Sequence, residues 1–268
     1  MDLSFEFFPP NSGDYEKIFN VFDQLSFLEP KFVSVTYGAL GSDQAKSIDL
    51  SAALYNKNIE TAAHLTIANK SIKEIEIIVD KFIKKGIKKI VALRGDCPNN
   101  NYRQHPEGFS STSEFVNFLV KRGLEVFVSS YPEHHPDSDS FEVDLEVLKD
   151  KQSAGASKAI TQFCFSKDAY AKLLDESTKK DINIEITPGI MPIYNINNIL
   201  NMSQRCGIQI PESITNRFSD DDSDNTKQAL EICHEQLDYL NELGYKSFHF
   251  YTLNRYKFIK KLFSDRGY

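Results

Sequence analysis

The sequence alternates short apolar segments with amphipathic helical segments along its 268 residues. Eight of the apolar segments have the length and composition of strands in a parallel sheet that is buried on both faces. Eight strand–helix units in about 250 residues are the number expected of a (β/α)8 barrel. We therefore predict an α/β fold, a (β/α)8 TIM barrel that forms a single domain over residues 1–268.

Residue types and apolar spacing give the approximate bounds of these segments. The predicted strands lie at residues 3–8, 31–38, 60–66, 88–93, 125–130, 159–164, 183–187 and 247–252. The predicted helices lie at residues 14–28, 47–55, 71–85, 113–122, 139–154, 166–180, 196–206, 225–243 and 254–263. A doubly wound sheet would alternate in the same way, but the sequence has no G-x-G-x-x-G fingerprint, no P-loop and no linker rich in glycine and proline.

Composition and charge exclude some classes of binding partner and favour one cellular compartment. No apolar run approaches the roughly 20 residues that span a bilayer, and the first residues lack the pattern of a secretory signal. The net charge is −7 and the basic residues are dispersed, which argues against nucleic acid as the main partner. Four widely spaced cysteines form no CxxC pair, which is typical of a reducing compartment. We predict a cytoplasmic protein with no membrane or nucleic-acid partner.

Polar side chains follow almost every predicted strand. The ends of parallel barrel strands meet at one rim, where the active sites of such barrels lie. Taken singly, these residues have structural explanations: His64 or Tyr251 could be a core residue, and Gln162 could cap a backbone group. Together they indicate an active site. The rim residues are Glu6, Thr36, Tyr37, His64, Arg94, Asp96, Tyr131, His135, Gln162, the Pro188-Gly189 turn, Tyr251 and Arg255.

Glu6 is the strongest candidate for a catalytic group. It lies in the first strand between Phe5, Phe7 and Phe8, and an unpaired carboxylate is costly to bury. Either the side chain points to water, or the surrounding phenylalanines desolvate it and raise its proton affinity.

Seven motifs, in order along the chain, resemble those of the methylenetetrahydrofolate reductase family. They are SFEFFPP at 4–10, FVSVTYG at 32–38, HLT at 64–66, ALRGD at 92–96, ITQF at 160–163, PGI at 188–190 and FHFYTLNR at 248–255. The resemblance implies the short form of a flavoprotein barrel of one-carbon metabolism and methionine biosynthesis. In that form residues 1–268 are a single catalytic domain with no regulatory domain. It implies that NADH or NADPH gives hydride to FAD, and that methylenetetrahydrofolate then takes the hydride in a ping-pong reaction.

The resemblance also implies roles for individual residues. Glu6 matches the general acid, and Asp96 matches an aspartate that lies near both flavin and pterin. The positions that match FAD contacts are Thr36, Tyr37, Ala39, His64, Arg94, Gly95, Asp96, Tyr131, His135, Asp144 and Lys151. The positions that match substrate contacts are Asp96, Gln162, Asn198, Met202, Tyr251 and Arg255. The short form of the family often assembles into oligomers, so a homo-oligomer is compatible with the resemblance.

Five positions depart from the family pattern. One is Ser111, which stands where a tyrosine that contacts flavin is usual. Val147 and Asp150 replace an asparagine and an arginine, which leaves Lys151 as the main charge of that helix for the cofactor pyrophosphate. Met202 replaces an aromatic residue, and Asn198 replaces a glutamine.

Two other classes of function compete with this one. A metal-dependent TIM-barrel hydrolase could draw ligands from Glu6, His64, Asp96, His134 and His135, but the first strand lacks the usual H-x-H. A non-catalytic barrel could hold flavin or folate without turnover. Because Glu6, Asp96 and Gln162 occur together, we predict an enzyme without a metal site.

Overall fold

The computed structural model describes residues 1–37, 44–95, 104–219 and 222–268. Within these ranges the strands are β1 (Asp2–Phe7), β2 (Phe32–Val35), β3 (Thr61–Thr66), β4 (Lys89–Leu93), β5 (Glu125–Ser130), β6 (Lys158–Thr161), β7 (Glu185–Thr187), β8 (Gly189–Ile190) and β9 (Ser247–Tyr251). The helices are α1 (Glu16–Leu25), α2 (Gln44–Asn56), α3 (Ile72–Lys84), α4 (Thr112–Lys121), α5 (Phe141–Ser153), α6 (Lys167–Lys179), α7 (Ile196–Cys206), α8 (Glu212–Thr215), α9 (Asp222–Glu242) and α10 (Lys257–Asp265).

The strands form one parallel sheet in the order β7-β6-β5-β4-β3-β2-β1-β9-β8. Because β7 and β8 adjoin in sequence, the two edges of the sheet meet, and the strands form a nearly closed barrel surrounded by helices. The predicted TIM barrel is confirmed. No helix in the described part of the chain is long and apolar enough to cross a membrane.

The seventh barrel position differs from the prediction of one strand at 183–187. It is divided into β7 and β8 at Pro188, which has no N–H for a strand ladder. The Pro188 carbonyl still accepts a hydrogen bond from the His249 amide at 2.9 Å. Gly189, predicted as part of a turn, is instead the first residue of β8. A Cβ atom there would lie 2.2 Å from the Thr161 carbonyl oxygen, so the close approach requires glycine.

Most other elements lie close to their predicted positions. Ser71 caps α3, and its hydroxyl and the Glu74 side chain form the reciprocal bonds of a capping box. β6 ends at Thr161, short of the predicted residue 164, and α9 begins at Asp222, ahead of the predicted residue 225. α8 is not predicted, because a helix of one turn has no apolar periodicity to detect.

The barrel interior is layered by the two-residue period of the strands. At the N-terminal end, Lys89 Nζ lies 2.8 Å from a Glu125 oxygen, and Lys158 pairs with Glu185. The middle layer is apolar, and the C-terminal end is polar. The middle layer consists of Phe32, Ala62, Val91, Phe127 and Ile160.

We predict that Phe127→Ala strongly destabilises the fold. Phe127 is buried in the middle layer, and removing a buried phenylalanine ring costs about 3–5 kcal/mol of unfolding free energy. Phe27→Ala is the matched control, because that ring is 43% exposed and the change should stay within about 0.5 kcal/mol. Urea unfolding of both variants measures the difference. Equal losses of stability would contradict the layered interior.

Candidate active site

A cavity of about 1110 Å³ opens at the C-terminal ends of the strands. Side chains from several barrel positions line it, which is the expected place for an active site in this fold. The predicted site residues that line it are Glu6, Thr36, Tyr37, His64, Arg94, Gly95, Tyr131, His135, Asp144, Lys151, Gln162 and Tyr251. The structure therefore brings most of the predicted rim together.

Glu6 faces the cavity from β1, and its side chain is only 19% exposed. Burial raises the pKa of its carboxyl to about 8. The expectation that flanking phenylalanines desolvate it is wrong for Phe5 and Phe7. The alternation of β1 turns both rings to the opposite face, where they pack in the larger hydrophobic core. The barrel interior itself desolvates Glu6.

His64 of β3 lies beside Glu6, with Nε2 3.7 Å from the Glu6 Oε2 atom. The imidazole is 11% exposed, and burial lowers its pKa to about 4. With the Glu6 pKa at about 8, both side chains are neutral at pH 7. The contact therefore joins two neutral groups and is not a salt bridge.

Three buried polar atoms in the cavity wall have no hydrogen-bond partner among the described residues. They are Thr36 Oγ1, His64 Nε2 and Ser130 Oγ. Leaving such an atom unsatisfied costs about 1–3 kcal/mol. Because all three face the same cavity, their arrangement fits a polar ligand that completes their hydrogen bonds.

His249 of β9 forms part of the cavity floor. Its Nδ1 lies 2.7 Å from the Ser4 hydroxyl, and its Nε2 lies 3.2 Å from the Ser34 hydroxyl. Burial lowers the pKa of this imidazole to about 3, so it is neutral. His249 is not among the predicted site residues. Its place two residues before Tyr251 in the last strand is the signal that could have identified it, since both share one face.

Tyr251 and Gln162 form the adjoining wall. The Tyr251 hydroxyl donates to the Thr161 carbonyl at 2.7 Å, and burial raises the pKa of this phenol well above its ordinary value. The Gln162 Oε1 atom accepts a hydrogen bond from the Phe163 amide at 3.1 Å. The tyrosine hydroxyl is thus fixed by the barrel backbone.

Charged groups hold the outer wall in place. Arg94 Nη2 donates to Asp137 at 2.6 Å, and the His135 amide donates to Asp144 at 2.6 Å. The rings of Tyr131 and His135 pack edge to face, with centroids 4.7 Å apart. These contacts fix the loop between β5 and α5 against the strand ends.

Lys151 is a buried cation in the cavity wall. Its Nζ donates to the Ser129 carbonyl at 2.8 Å. Burial lowers the pKa of its ammonium group to about 8, although the nearby Asp144 carboxylate acts in the opposite direction. Val147 and Asp150, from the same helix α5, also line the cavity.

Comparison with known proteins identifies the family. The family model described as methylenetetrahydrofolate reductase matches residues 1–267. A 5,10-methylenetetrahydrofolate reductase of Buchnera aphidicola (subsp. Schizaphis graminum) is 38% identical over 95% of this chain and 88% of its own length. The enzyme of that name in Escherichia coli is 36% identical over 95% of this chain and 87% of its own. The chain belongs to the methylenetetrahydrofolate reductase family.

A plant member of the family is similar as well. Methylenetetrahydrofolate reductase (NADH) 1 of Arabidopsis thaliana is 33% identical over 94% of this chain, and the matched region covers 46% of the plant protein. Among solved structures, an uncharacterised protein of Clostridium thermocellum that binds two copies of 5-methyl-5,6,7,8-tetrahydrofolic acid has a TM-score of 0.66. That structure is 14% identical and covers 97% of this chain and 92% of its own, so it supports the barrel fold.

Not every residue implied by the family resemblance lines the cavity. Asn198 and Met202 lie on α7, and neither is part of the cavity wall. Arg255 is exposed after β9, where its guanidinium carbon lies 5.1 Å from the centroid of the Tyr194 ring. Ala39 and Asp96 lie outside the described residues. The roles of these five residues stay predictions, as do those of the predicted residues that line the cavity.

The competing hydrolase is not favoured, because the chain belongs to the reductase family. Within the described ranges, no group of three or more histidine, cysteine, aspartate or glutamate side chains could hold a metal ion.

We predict that Glu6→Gln changes how stability depends on pH. The folded state favours the protonated Glu6 carboxyl, so its contribution is complete below about pH 4.5 and is lost as the pH rises to about 8. At about 1.4 kcal/mol for each pH unit, the loss is at most about 5 kcal/mol. Urea unfolding at pH 5, 7 and 9 should show the variant gaining stability relative to the parent as the pH rises. Glu16→Gln, at the exposed start of α1, is the matched control. Parallel pH curves for parent and Glu6→Gln would exclude a buried, protonated Glu6.

Proposed function

We propose that the protein reduces 5,10-methylenetetrahydrofolate to 5-methyltetrahydrofolate, with hydride from NADH or NADPH, in a ping-pong sequence. Membership of the reductase family supports the folate chemistry. The observation that carries the proposal is Glu6, a carboxyl with a pKa of about 8 that faces a cavity at the active-site end of the barrel. We extend the proposal to a cytoplasmic role in one-carbon metabolism and methionine biosynthesis.

FAD is the proposed cofactor, and when bound it would carry hydride from the nicotinamide to the folate. The cavity of about 1110 Å³ exceeds the range of about 300–1,000 Å³ that is usual for small-molecule sites, which leaves room for two ligands. The unpartnered atoms Thr36 Oγ1 and Ser130 Oγ support a polar occupant. The described residues that we propose as contacts of FAD are Thr36, Tyr37, His64, Arg94, Gly95, Tyr131, His135, Asp144 and Lys151.

Glu6 is the proposed general acid. The methylene bridge of the folate can accept hydride only after one of its two carbon–nitrogen bonds opens, and the departing nitrogen then needs a proton. A carboxyl with a pKa of about 8 holds that proton at neutral pH. A positioned acid of this kind contributes about 10²–10⁴ in rate.

Lys151 is the proposed anchor for the anionic part of the cofactor. Its ammonium group is the buried cation of the cavity wall, and it is already oriented by the Ser129 carbonyl. Asp144 and Asp150 line the same wall, so the positive charge of Lys151 must outweigh two neighbouring carboxylates. The affinity for a pyrophosphate should therefore depend strongly on this lysine.

The substrate contacts are proposed from the family resemblance and from position. Gln162 and Tyr251 line the cavity beside Glu6. Asp96, Asn198, Met202 and Arg255 are proposed to complete the folate site. Arg255 is exposed after the last strand and could reach a negatively charged part of the substrate.

We predict that Glu6→Gln abolishes folate reduction but spares the reduction of flavin by nicotinamide. The amide keeps the shape of the carboxyl and cannot donate its proton as an acid, so the folate half-reaction should slow by about 10²–10⁴. The test is anaerobic: reduced nicotinamide should bleach the FAD-loaded variant, and methylenetetrahydrofolate should then fail to restore the colour. For the parent, the rate of colour return should fall as the pH rises past about 8.

Glu60→Gln, at the opposite end of the barrel, is the matched control and should behave as the parent does in both half-reactions. If Glu6→Gln reoxidises with folate at the parental rate, Glu6 is not the acid. If the FAD-loaded parent is not reoxidised by folate, the proposed function itself is wrong.

We predict that Lys151→Met weakens FAD binding by about tenfold to a hundredfold, because a hydrogen bond to a charged group contributes about 1.5–3 kcal/mol. Fluorescence titration with FAD measures the affinity. In the parent, the affinity should fall as the pH rises through about 8, because Lys151 then loses its proton. Lys149→Met, on the same helix and outside the cavity wall, is the control. Equal affinities of the Lys151 variant and the parent would remove Lys151 from the cofactor site.

A further inference from the structure

Glu6 must regain a proton in every catalytic cycle if the proposed function is correct. The folate gains one hydride and one proton, and the proton comes from the Glu6 carboxyl. Each turnover therefore leaves Glu6 as a carboxylate inside the barrel, where its side chain is only 19% exposed. A second group that can bring a proton from the cavity water to this position would complete the cycle.

The titratable groups near Glu6 lie on the strands β9 and β3. Tyr251 is its register partner on β9, but the Tyr251 hydroxyl already donates to the Thr161 carbonyl at 2.7 Å. His249 lies one layer lower, and the hydroxyls of Ser4 and Ser34 lie within hydrogen-bond distance of its two nitrogens. Neither the Tyr251 hydroxyl nor the His249 imidazole is therefore free to transfer a proton to Glu6.

His64 differs from both of these residues. Its Nε2 lies 3.7 Å from the Glu6 Oε2 atom and has no hydrogen-bond partner among the described residues. Nε2 itself is buried, but the imidazole lines the cavity and its side chain is 11% exposed, so a proton from cavity water has to enter at the other nitrogen, Nδ1. Among the described groups around Glu6, His64 is the one that has both an available nitrogen and access to the cavity.

We propose that His64 returns the proton to Glu6 after each turnover. The Glu6 carboxylate left by the reaction favours a positive charge on the adjacent imidazole. His64 then takes a proton from cavity water at Nδ1 and passes its Nε2 proton to the Glu6 oxygen, which leaves a neutral imidazole protonated at Nδ1 and a neutral carboxyl. His64 acts through Glu6 and is a positioning residue, whereas Glu6 alone protonates the folate.

The pKa values of His64 and Glu6 before the reaction favour this proton transfer. While Glu6 is protonated, burial keeps the pKa of His64 at about 4, so the imidazole does not retain the proton. The Glu6 carboxyl has the higher pKa, about 8, so the proton moves from histidine to glutamate downhill. The separation of 3.7 Å is close enough for direct transfer after a small movement, or for transfer through one water.

The test compares the first turnover with steady-state turnover at saturating FAD. His64 is also a proposed contact of FAD, so the quantity compared is the ratio of the steady-state rate to the first-turnover rate. His64→Gln cannot carry a proton, so this ratio should fall at least about tenfold relative to the parent. His64→Ala should show the same loss, and added imidazole should restore it in a saturable manner. His234→Gln is the matched control, because His234 contacts Arg266 far from the cavity wall.

Parental steady-state turnover in His64→Gln, or a lack of imidazole rescue in His64→Ala, would overturn the relay. Equal losses in the first turnover and in the steady state of His64→Gln at saturating FAD would show that His64 acts only through the cofactor, and would also overturn the relay. These outcomes are distinct from failure of the proposed function, which appears as an FAD-loaded parent that methylenetetrahydrofolate does not reoxidise.

Discussion

The exclusion of water from one carboxyl organises the active-site end of this barrel. β1 turns Ser4 and Glu6 into the barrel and turns Phe5 and Phe7 outward into the helix layer. Since the sheet closes around the inward side chains, Glu6 has few waters to solvate its anion, and its pKa rises to about 8. The proposed acid chemistry depends on this burial, because an ordinary glutamate would be ionised at neutral pH.

The layers below Glu6 maintain that environment. Ion pairs of Lys89 and Lys158 lie at the N-terminal end, and the apolar layer around Phe127 separates them from the cavity. His249 stands between the apolar layer and Glu6, and serine hydroxyls satisfy it on both sides. The ion pairs at the N-terminal end are therefore kept away from Glu6, and the histidines nearest Glu6 are neutral.

Most of the fold and much of the rim could be predicted from the sequence, because both follow local periodicity. Strand alternation and helical spacing locate the elements, and strand ends in a parallel barrel converge by topology alone. Local patterns did not reveal the break at Pro188, where β8 continues the barrel after a residue without an N–H. They also did not place Asn198, Met202 or Arg255, which lie on a helix and a loop whose distance from the cavity depends on packing.

The sequence by itself determined the family, the barrel class and the set of polar residues carried to one rim. Only the tertiary structure decided which of them interact. The contact between Glu6 and His64, at 3.7 Å, joins residues of two strands separated by two helices. Their protonation states, like that of Lys151, are set by how completely distant segments exclude water. Solvent exclusion is a property of the closed barrel, so no local stretch of sequence contains it.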